Sequence, residues 1–327
     1  MDNLLSPALE LMPPDISAWR QGSGGPGSDT PDYVQGFDSG RPGPGVVVSA
    51  LVHGNELCGA VALDRLLKAG LRPEAGRLSL AFVNVAAFER FSHAAPHATR
   101  FLDEDFNRLW APEILDGPGC IGGRSQELAR ARSLRPLFDA ADFLLDIHSM
   151  STTTEPLILA GPTDKGLDLA VALGRPATIV RDAGHAAGPR LRDYGAFADP
   201  RSPRNALLVE CGQHFAPASA EVAYDVTLRF LATVGSISAT TASVYGSLQP
   251  PQAPRVIEVT ERVTAASDRF VFVQPFRGMD VVPQAGSVIA LDDGRRIVTP
   301  YDDCVLVMPV ERPQAGTTAV RLGRECL

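Results

Sequence analysis

Between residues 45 and 244, two hydrophobic patterns alternate along the chain. Short continuous apolar runs, such as Val46–Val52 and Leu78–Val85, are typical of strands buried on both faces of a sheet. Between them, apolar residues recur at helical spacing, as in Glu56–Ala69. This alternation predicts an α/β fold with a parallel or mixed sheet. The other predicted core strands are Phe143–Ile147, Leu157–Ala160, Thr178–Val180 and Ala206–Val209; the other predicted helices are Ser125–Ala140, broken near Pro136, Thr163–Leu173, and Ser219–Val234 with Ser219 as N-cap.

The segments on either side of this region differ from it in composition. Residues 1–44 are rich in glycine, proline, serine and aspartate, and Gln21–Thr30 is typical of a surface loop. Residues 249–254 (QPPQAP) are typical of a linker, and no strong helical pattern follows them. We therefore expect one domain over residues 1–248, beginning with a loop-rich segment, and a smaller all-β domain over residues 249–327. The predicted strands of the second domain lie within Arg255–Glu261, Arg269–Gln274, Ser287–Leu291 and Cys304–Val310.

Composition and charge argue against several classes of function. The 327 residues include 30 lysines and arginines against 38 aspartates and glutamates, a formal net charge of −8. We expect no nucleic-acid partner, because phosphate binding needs clustered positive charge. No apolar run is long enough to cross a membrane, and the first residues lack the apolar stretch of a secretory signal. We therefore expect a cytoplasmic protein without a membrane partner; a homo-oligomer is left open.

The five cysteines are scattered, and none forms a C-x-x-C pair. Neither a disulfide framework nor a structural zinc cluster is therefore expected. Cys58 and Cys211 lie near the candidate site described below, but a free cysteine is usually a small buried apolar residue. Ser149 adjoins a histidine of that site without the G-x-S-x-G elbow of a serine hydrolase.

Two histidines stand at the carboxyl ends of predicted strands, where sites of open α/β sheets gather. His53 follows one strand in V-H-G-N-E, and His148 follows another in D-I-H-S. Glu56, three residues after His53, begins the next predicted helix, so the two side chains share one side of its first turn. Two imidazoles and a carboxylate are a typical donor set of a catalytic zinc ion, and Asp146 would orient His148. The competing interpretation is three unrelated polar residues.

Two further clusters carry candidate chemistry. The stretch Arg100–Trp110 holds Arg100, Asn107 and Arg108 among three acids, and its guanidiniums suit a carboxylate ligand. The alternative is a self-neutralising surface loop. Glu210 ends a buried strand, where a carboxylate is costly without a metal, a partner or a catalytic role. It could serve as general base or form a buried ion pair with Arg204; His214, close behind it, is an open candidate.

Four motifs in this order resemble those of the succinylglutamate desuccinylase/aspartoacylase family of zinc-dependent amidohydrolases, which is related to the zinc carboxypeptidases. They are H-G-N-E at His53–Glu56, D-F-N-R at Asp105–Arg108, D-I-H-S at Asp146–Ser149 and V-E-C-G at Val209–Gly212. The resemblance covers about residues 45 to 215. It implies a carboxypeptidase-like α/β domain with a mixed β-sheet flanked by helices, followed by a β-rich domain.

The resemblance also implies roles for single residues. One Zn²⁺ per chain would be held by three ligands, and a carboxylate-bearing substrate by further side chains. The zinc ligands would be His53, Glu56 and His148; Arg100 would polarise the scissile carbonyl, Asn107 and Arg108 would hold the substrate carboxylate, and Glu210 would be the catalytic carboxylate.

Two members of the family's pattern have no secure counterpart here. The family uses an arginine shortly before the catalytic glutamate; Arg201 and Arg204 are both available, and Arg204 is our candidate for substrate binding. In some members a tyrosine of the C-terminal domain reaches the substrate, and Tyr301 matches it by residue type alone. The glycine-rich N-terminal segment and Cys211, directly after Glu210, depart from the pattern and leave the acyl group open.

The sequence thus predicts a zinc-dependent hydrolase that cleaves the amide of a small N-acyl amino acid or related N-acyl amine. One alternative is a zinc carboxypeptidase acting on peptides, which ranks second because the C-terminal domain and Arg100–Trp110 would narrow access to the site. The other is a non-catalytic binding protein with the same fold. The presence of all the expected catalytic residues argues against it. Neither the acyl group nor the amine follows from the sequence.

Overall fold

The computed structural model of the chain describes residues 10–23, 30–117, 124–185 and 187–326. Most of the predicted loop Gln21–Thr30 lies outside these ranges. The strands are β1 (Val34–Asp38), β2 (Gly45–Ala50), β3 (Arg77–Phe82), β4 (Phe143–Met150), β5 (Leu157–Leu159), β6 (Thr178–Arg181), β7 (Asn205–Gln213), β8 (Arg255–Thr264), β9 (Val271–Phe272), β10 (Asp280–Val282), β11 (Val288–Asp292), β12 (Arg295–Val298), β13 (Cys304–Val307) and β14 (Thr318–Glu325). The helices are α1 (Leu57–Lys68), α2 (Val85–Phe88), α3 (Pro112–Leu115), α4 (Gln126–Asp139), α5 (Asp164–Leu173), α6 (Pro217–Thr233) and α7 (Ala239–Tyr245).

The main sheet has the strand order β1-β3-β2-β4-β7-β5-β6-β8-β14-β13-β10. Its centre, β3-β2-β4-β7, is parallel, whereas β1 and β5 run antiparallel to their neighbours β3 and β7. Successive side chains of a strand point to opposite faces. Accordingly, Val46 and Val48 pack with α1 and α6, and Val47 packs with α4 on the other face. The predicted fold class, a mixed sheet flanked by helices with a β-rich C-terminal region, is confirmed.

Because β2, β4 and β7 are parallel, their carboxyl ends lie side by side at the same end of the sheet. Backbone pairing places His148 of β4 directly beside Glu210 of β7. His53 follows β2, which pairs with β4 on its other side. Residues that are far apart in sequence therefore meet because register, rather than chain proximity, decides which side chains share this end.

The C-terminal region extends the same sheet. β8 pairs in parallel with β6, with Thr178 opposite Arg255, and then antiparallel with β14. A smaller sheet of order β12-β11-β9 packs nearby around residues such as Phe270 and Ile289. The division at residue 248 remains a prediction, because the hydrogen-bonded ladder of the main sheet continues across it.

Several element boundaries differ from the predicted ones. α4 runs through Pro136, which lies in its last turn, so the missing N–H removes a hydrogen bond only at the helix end. α6 begins at Pro217 rather than at Ser219, whose hydroxyl instead donates to the carbonyl of Gln213. Strand β1 was not predicted because its sequence, V-Q-G-F-D, includes a glycine and polar residues suited to a sheet edge. Strands β10, β12 and β14 and helix α7 were not predicted either.

Among the described helices, none is both long and apolar enough to cross a membrane.

Candidate active site

The turn between β2 and α1 sets the positions of His53 and Glu56. The N–H of Gly54 donates to the carbonyl of Arg100 at 3.0 Å. A Cβ atom at residue 54 would lie only 2.5 Å from backbone atoms of Ala87 and Phe88, so only glycine fits here. This tight turn brings the side chains of His53 and Glu56 together, with Nδ1 of His53 2.7 Å from Oε1 of Glu56.

His148 completes a cluster of three buried donors. Its Nδ1 atom lies 2.8 Å from the second carboxylate oxygen of Glu56. One ligand atom from each of His53, Glu56 and His148 lies within 4.8 Å of the others, so the cluster could hold a metal ion. The three residues that the sequence grouped together are thus brought together by the fold.

Each histidine of this cluster also contacts a second carboxylate through its other ring nitrogen. Nε2 of His53 lies 3.0 Å from Oδ1 of Asp105, and Nε2 of His148 lies 2.9 Å from Oδ2 of Asp146. Asp146 is held in turn by the hydroxyl of Ser49, at 2.7 Å. With Nε2 engaged in both rings, the two Nδ1 atoms and the Glu56 carboxylate are the donors left for a cation. Carboxylates that hold ligand histidines in this way are typical of metal sites.

The charges of the cluster favour a cation. Burial would raise the pKa of Glu56, but His53 and His148 outweigh it and hold the pKa well below its usual range. Burial acts on Asp105 in the same way and is outweighed by His53 and Arg100. Burial opposes a charge on His148, yet Asp146 and Glu56 raise its pKa well above its usual value. The lowered pKa values keep the carboxylates of Glu56 and Asp105 ionised beside the imidazoles, where they would favour a bound cation.

The loop that carries Arg100 and Arg108 is organised by one buried carboxylate. Glu127, in the first turn of α4, accepts backbone N–H groups of Leu102 and Asp103 at 2.7 and 3.1 Å. It also accepts from the side-chain amide of Asn84, at 3.1 Å. A self-neutralising surface loop would not need such an anchor, so this loop has a fixed conformation beside the cluster of His53, Glu56 and His148.

Arg100 lies at this cluster and is partly open to solvent. Its guanidinium is 3.4 Å from Oε1 of Glu56 and 3.3 Å from Oδ2 of Asp105, and 39% of the side chain is exposed. A guanidinium between the cluster and solvent is placed to contact a bound small molecule.

Asn107 and Arg108 lie on the same loop. The side-chain oxygen of Asn107 accepts the N–H of Leu191 at 2.6 Å, and its nitrogen lies 3.5 Å from Nε2 of His148. Arg108 donates to the carbonyl of Asn107 at 2.6 Å and lies 3.7 Å from a carboxylate oxygen of Asp105. Burial lowers the pKa of Arg108 to about 10, where the guanidinium still carries its charge at neutral pH.

Glu210 faces the cluster from β7. Burial raises its pKa to about 8, with Glu56 acting in the same direction and His148 opposing it. In the described part of the chain, its Oε2 atom is buried and has no hydrogen-bond partner. An unpaired buried carboxyl oxygen is costly unless a ligand or water engages it.

Arg204 is not brought to this cluster, which corrects its assignment as a substrate-binding residue. It immediately precedes β7, whereas Glu210 lies six residues further along the strand, about 20 Å away at ordinary strand rise. Its guanidinium donates to the carbonyl of Asp139, at the end of α4. An ion pair between Arg204 and Glu210 is excluded for the same reason. Arg201 is exposed and pairs with Asp199.

Tyr301 lies in the C-terminal region under the guanidinium of Arg324, and its hydroxyl shares a hydrogen bond with Thr260. Neither contact belongs to the cluster. Sequence reasoning missed a different residue of this region, Arg321, which lies 2.9 Å from His185 and 3.3 Å from Asp182. No local signal marks it, since it lies between apolar residues of a strand.

His214 and the two cysteines lie close to the cluster of His53, Glu56 and His148. Nδ1 of His214 is 2.8 Å from the hydroxyl of Ser149, and burial lowers the pKa of His214 to about 4. Cys58 contacts the carbonyl of His148 at 3.6 Å, and Cys58 and Cys211 are both fully buried. The cysteines thus match their interpretation as small buried residues.

Comparisons with known proteins agree with the motif pattern. Residues 42–234 match the family model described as the succinylglutamate desuccinylase/aspartoacylase catalytic domain, which confirms the resemblance. No curated protein matches the chain.

Several solved structures of proteins with these names have a similar fold. One is succinylglutamate desuccinylase from Vibrio parahaemolyticus (16% identity, TM-score 0.61, covering 87% of this chain and 82% of that chain). Another is a succinylglutamate desuccinylase/aspartoacylase from Rhodobacter sphaeroides (17%, 0.61, 90% and 89%). A third is the product-bound ectoine utilization protein EutE (DoeB) from Ruegeria pomeroyi (18%, 0.58, 86% and 85%). At these identities the similarity establishes the fold alone.

Proposed function

Because the chain belongs to the succinylglutamate desuccinylase/aspartoacylase family, we propose that it is a zinc-dependent deacylase of small N-acyl amino acids or related carboxylate-bearing N-acyl amines. The observation that carries this proposal is the buried cluster of His53, Glu56 and His148. The Nε2 atoms of its two histidines are engaged by separate carboxylates. Nitrogen and oxygen donors in a set of three suit zinc and leave a coordination position for water.

When bound there, Zn²⁺ would supply Lewis acidity and lower the pKa of water at the site. The protein's own residues would do the rest. Glu210, paired with His148 across β4 and β7, would accept the proton of the attacking water and return it to the departing amine. A carboxyl group with a pKa near neutrality can do both.

The two arginines of the anchored loop would have separate tasks. Arg100 would donate to the carbonyl oxygen as negative charge develops on it, an interaction worth about 3–4 kcal/mol per donor in comparable sites. Arg108 would hold the substrate carboxylate, with Asn107 beside it, and so fix the scissile amide relative to Glu210. Arg100 contacts Glu56 directly, whereas Arg108 contacts Asp105 and not the three cluster residues, which supports this division.

Metal content and substrate preference together test the proposal. Elemental analysis of protein purified without added metal should find about one zinc per chain, and His148→Ala should lose it. The zinc-loaded protein should hydrolyse members of a panel of N-acetyl and N-succinyl amino acids faster than peptides of increasing length. A protein that binds no zinc even after its addition, or binds zinc but cleaves nothing in the panel, would overturn the proposal; preference for peptides would favour a carboxypeptidase.

A further inference from the structure

A loop rich in charged residues, 182–193, packs against the part of the site that carries Arg108. The N–H of Leu191 donates to the side-chain oxygen of Asn107, at 2.6 Å. A Cβ atom on Gly188 would lie 2.3 Å from the carbonyl oxygen of Arg108, so the two backbones are in close contact. The surroundings of Arg108 are therefore formed partly by this loop.

Arg321 of β14, in the C-terminal region, packs against the same loop. The guanidinium lies 2.9 Å from Nε2 of His185, and only 5% of the side chain is exposed. Its Nε atom is 3.3 Å from a carboxylate oxygen of Asp182, yet has no hydrogen-bond partner among the described residues. A buried guanidinium with an unused donor is expensive unless something else binds it.

The carboxylates near Arg321 are already engaged by two other buried arginines. Asp182 receives two hydrogen bonds from Arg190, at 2.6 and 3.1 Å. Asp193 is paired with both Arg190 and Arg192, at 2.7 and 2.6 Å. Three buried guanidiniums thus share two carboxylates, which leaves an excess of positive charge.

Arg108 adds to this excess rather than relieving it. Its nearest carboxylate, Asp105 at 3.7 Å, is already shared with His53 and Arg100. The positive charges of Arg108 and Arg321 both act on His185, which burial and these charges keep neutral at ordinary pH. A neutral imidazole can accept a hydrogen bond from Arg321 without adding a charge. Among the described residues, the carboxylates paired with Arg108 and Arg321 are each shared with other groups, and neither arginine has one to itself.

We propose that Arg321 completes the carboxylate subsite of Arg108 from the C-terminal β-region, so that one substrate carboxylate is held between the two guanidiniums. This inference rests on the proposed function and makes Arg321 a specificity-determining residue of the same site. Two guanidiniums hold an anion in a defined orientation better than one, because each presents donors in a rigid planar fork.

The test compares a carboxylate substrate with its neutral counterpart. Arg321→Met removes the charge, Arg321→Lys retains it without the planar fork, and Arg324→Met is the matched control, since Arg324 is on the same strand but stacks on Tyr301. With an N-acetyl amino acid that the wild type hydrolyses, Arg321→Met should lower kcat/KM about 10- to 100-fold, mainly through KM. With the carboxamide of that compound the loss should be within twofold. Arg324→Met should leave both unchanged.

A purely structural role for Arg321 would lower the activity on both compounds equally, which would overturn the proposal, as would no change on either. If Arg321→Met does not fold, Arg321→Lys decides. Its ratio of kcat/KM for the carboxylate to kcat/KM for the carboxamide should be lower than that of wild type. An independent measurement uses succinate as the probe. Succinate, but not succinamide, should raise the melting temperature of wild type and of Arg324→Met. It should raise the melting temperatures of Arg321→Met and Arg321→Lys by less. If no substrate is turned over, the proposed function fails, and this titration still decides whether the anion subsite exists.

Discussion

His148 and Asp146 stand two residues apart on β4, and Nε2 of the imidazole lies 2.9 Å from Oδ2 of the carboxylate. Both side chains point to the same face because the strand has a two-residue period. The pair fixes the ring so that Nδ1 faces Glu56. A residue outside the cluster of His53, Glu56 and His148 therefore determines which ring nitrogen His148 would offer to a metal ion.

Asp146→Asn should accordingly weaken zinc binding about 10- to 100-fold, the usual effect of losing a carboxylate behind a ligand histidine. Competition with a chromogenic chelator would measure the dissociation constant. Asp168→Asn, an exposed position on α5, serves as the control. Equal zinc affinity in all three proteins would mean that Asp146 does not orient the ligand.

Glu210→Gln should retain zinc but lower kcat by about 10² to 10⁴, the range typical of a lost general acid–base. The amide has nearly the same shape but cannot accept and return the proton. Zinc content and steady-state kinetics of one preparation give both quantities. Loss of zinc from this variant would instead identify Glu210 as a ligand, and turnover close to that of wild type would remove it from the mechanism.

Arg108→Ala and Arg204→Ala should behave differently, although both arginines were candidates for substrate binding. Arg108 lies at the cluster, so its loss should raise KM for a carboxylate substrate about 10- to 100-fold, as expected for charge-assisted hydrogen bonds. Arg204 lies at the opposite end of β7, so KM should stay within twofold of the wild-type value. A comparable rise of KM in the Arg204 variant would instead assign Arg204 a part in substrate binding.

His185 should make the folded protein less stable in mild acid. In the folded state, burial, followed by the charges of Arg321 and Arg108, lowers its pKa to about 2, against about 6.5 in an unfolded chain. Between these values the unfolded chain binds a proton that the folded protein does not. The free energy of unfolding therefore falls as the pH decreases from about 6.5, by at most about 1.4 kcal/mol per pH unit from this group.

Urea unfolding at pH 7 and pH 5 would measure that dependence, with His185→Gln as the variant in which it should be smaller. His93→Gln, at an exposed position, should show the wild-type difference. An equal difference in all three proteins would mean that His185 is not held neutral in the fold.

The motifs already determined much of the site before any tertiary information was used. His53 and Glu56 lie three residues apart in the turn that precedes α1, so local geometry brings their side chains together. Asp146 and His148 share one face of a strand for a similar reason. The α/β class also follows locally, because continuous and helically spaced apolar runs each predict one kind of element.

Only the tertiary structure decided which charged groups meet across the sheet. Asp105 became the partner of His53 because an anchored loop, not a periodic element, carries it there. Arg204 was misplaced because its assignment rested on the family pattern, whereas it precedes β7 and Glu210 lies six residues further along. Arg321 reaches His185 across 136 positions of the chain, through the pairing of β8 with β6 and β14. Hydrophobic periodicity specifies elements, whereas such contacts depend on strand order and register, which no local pattern records.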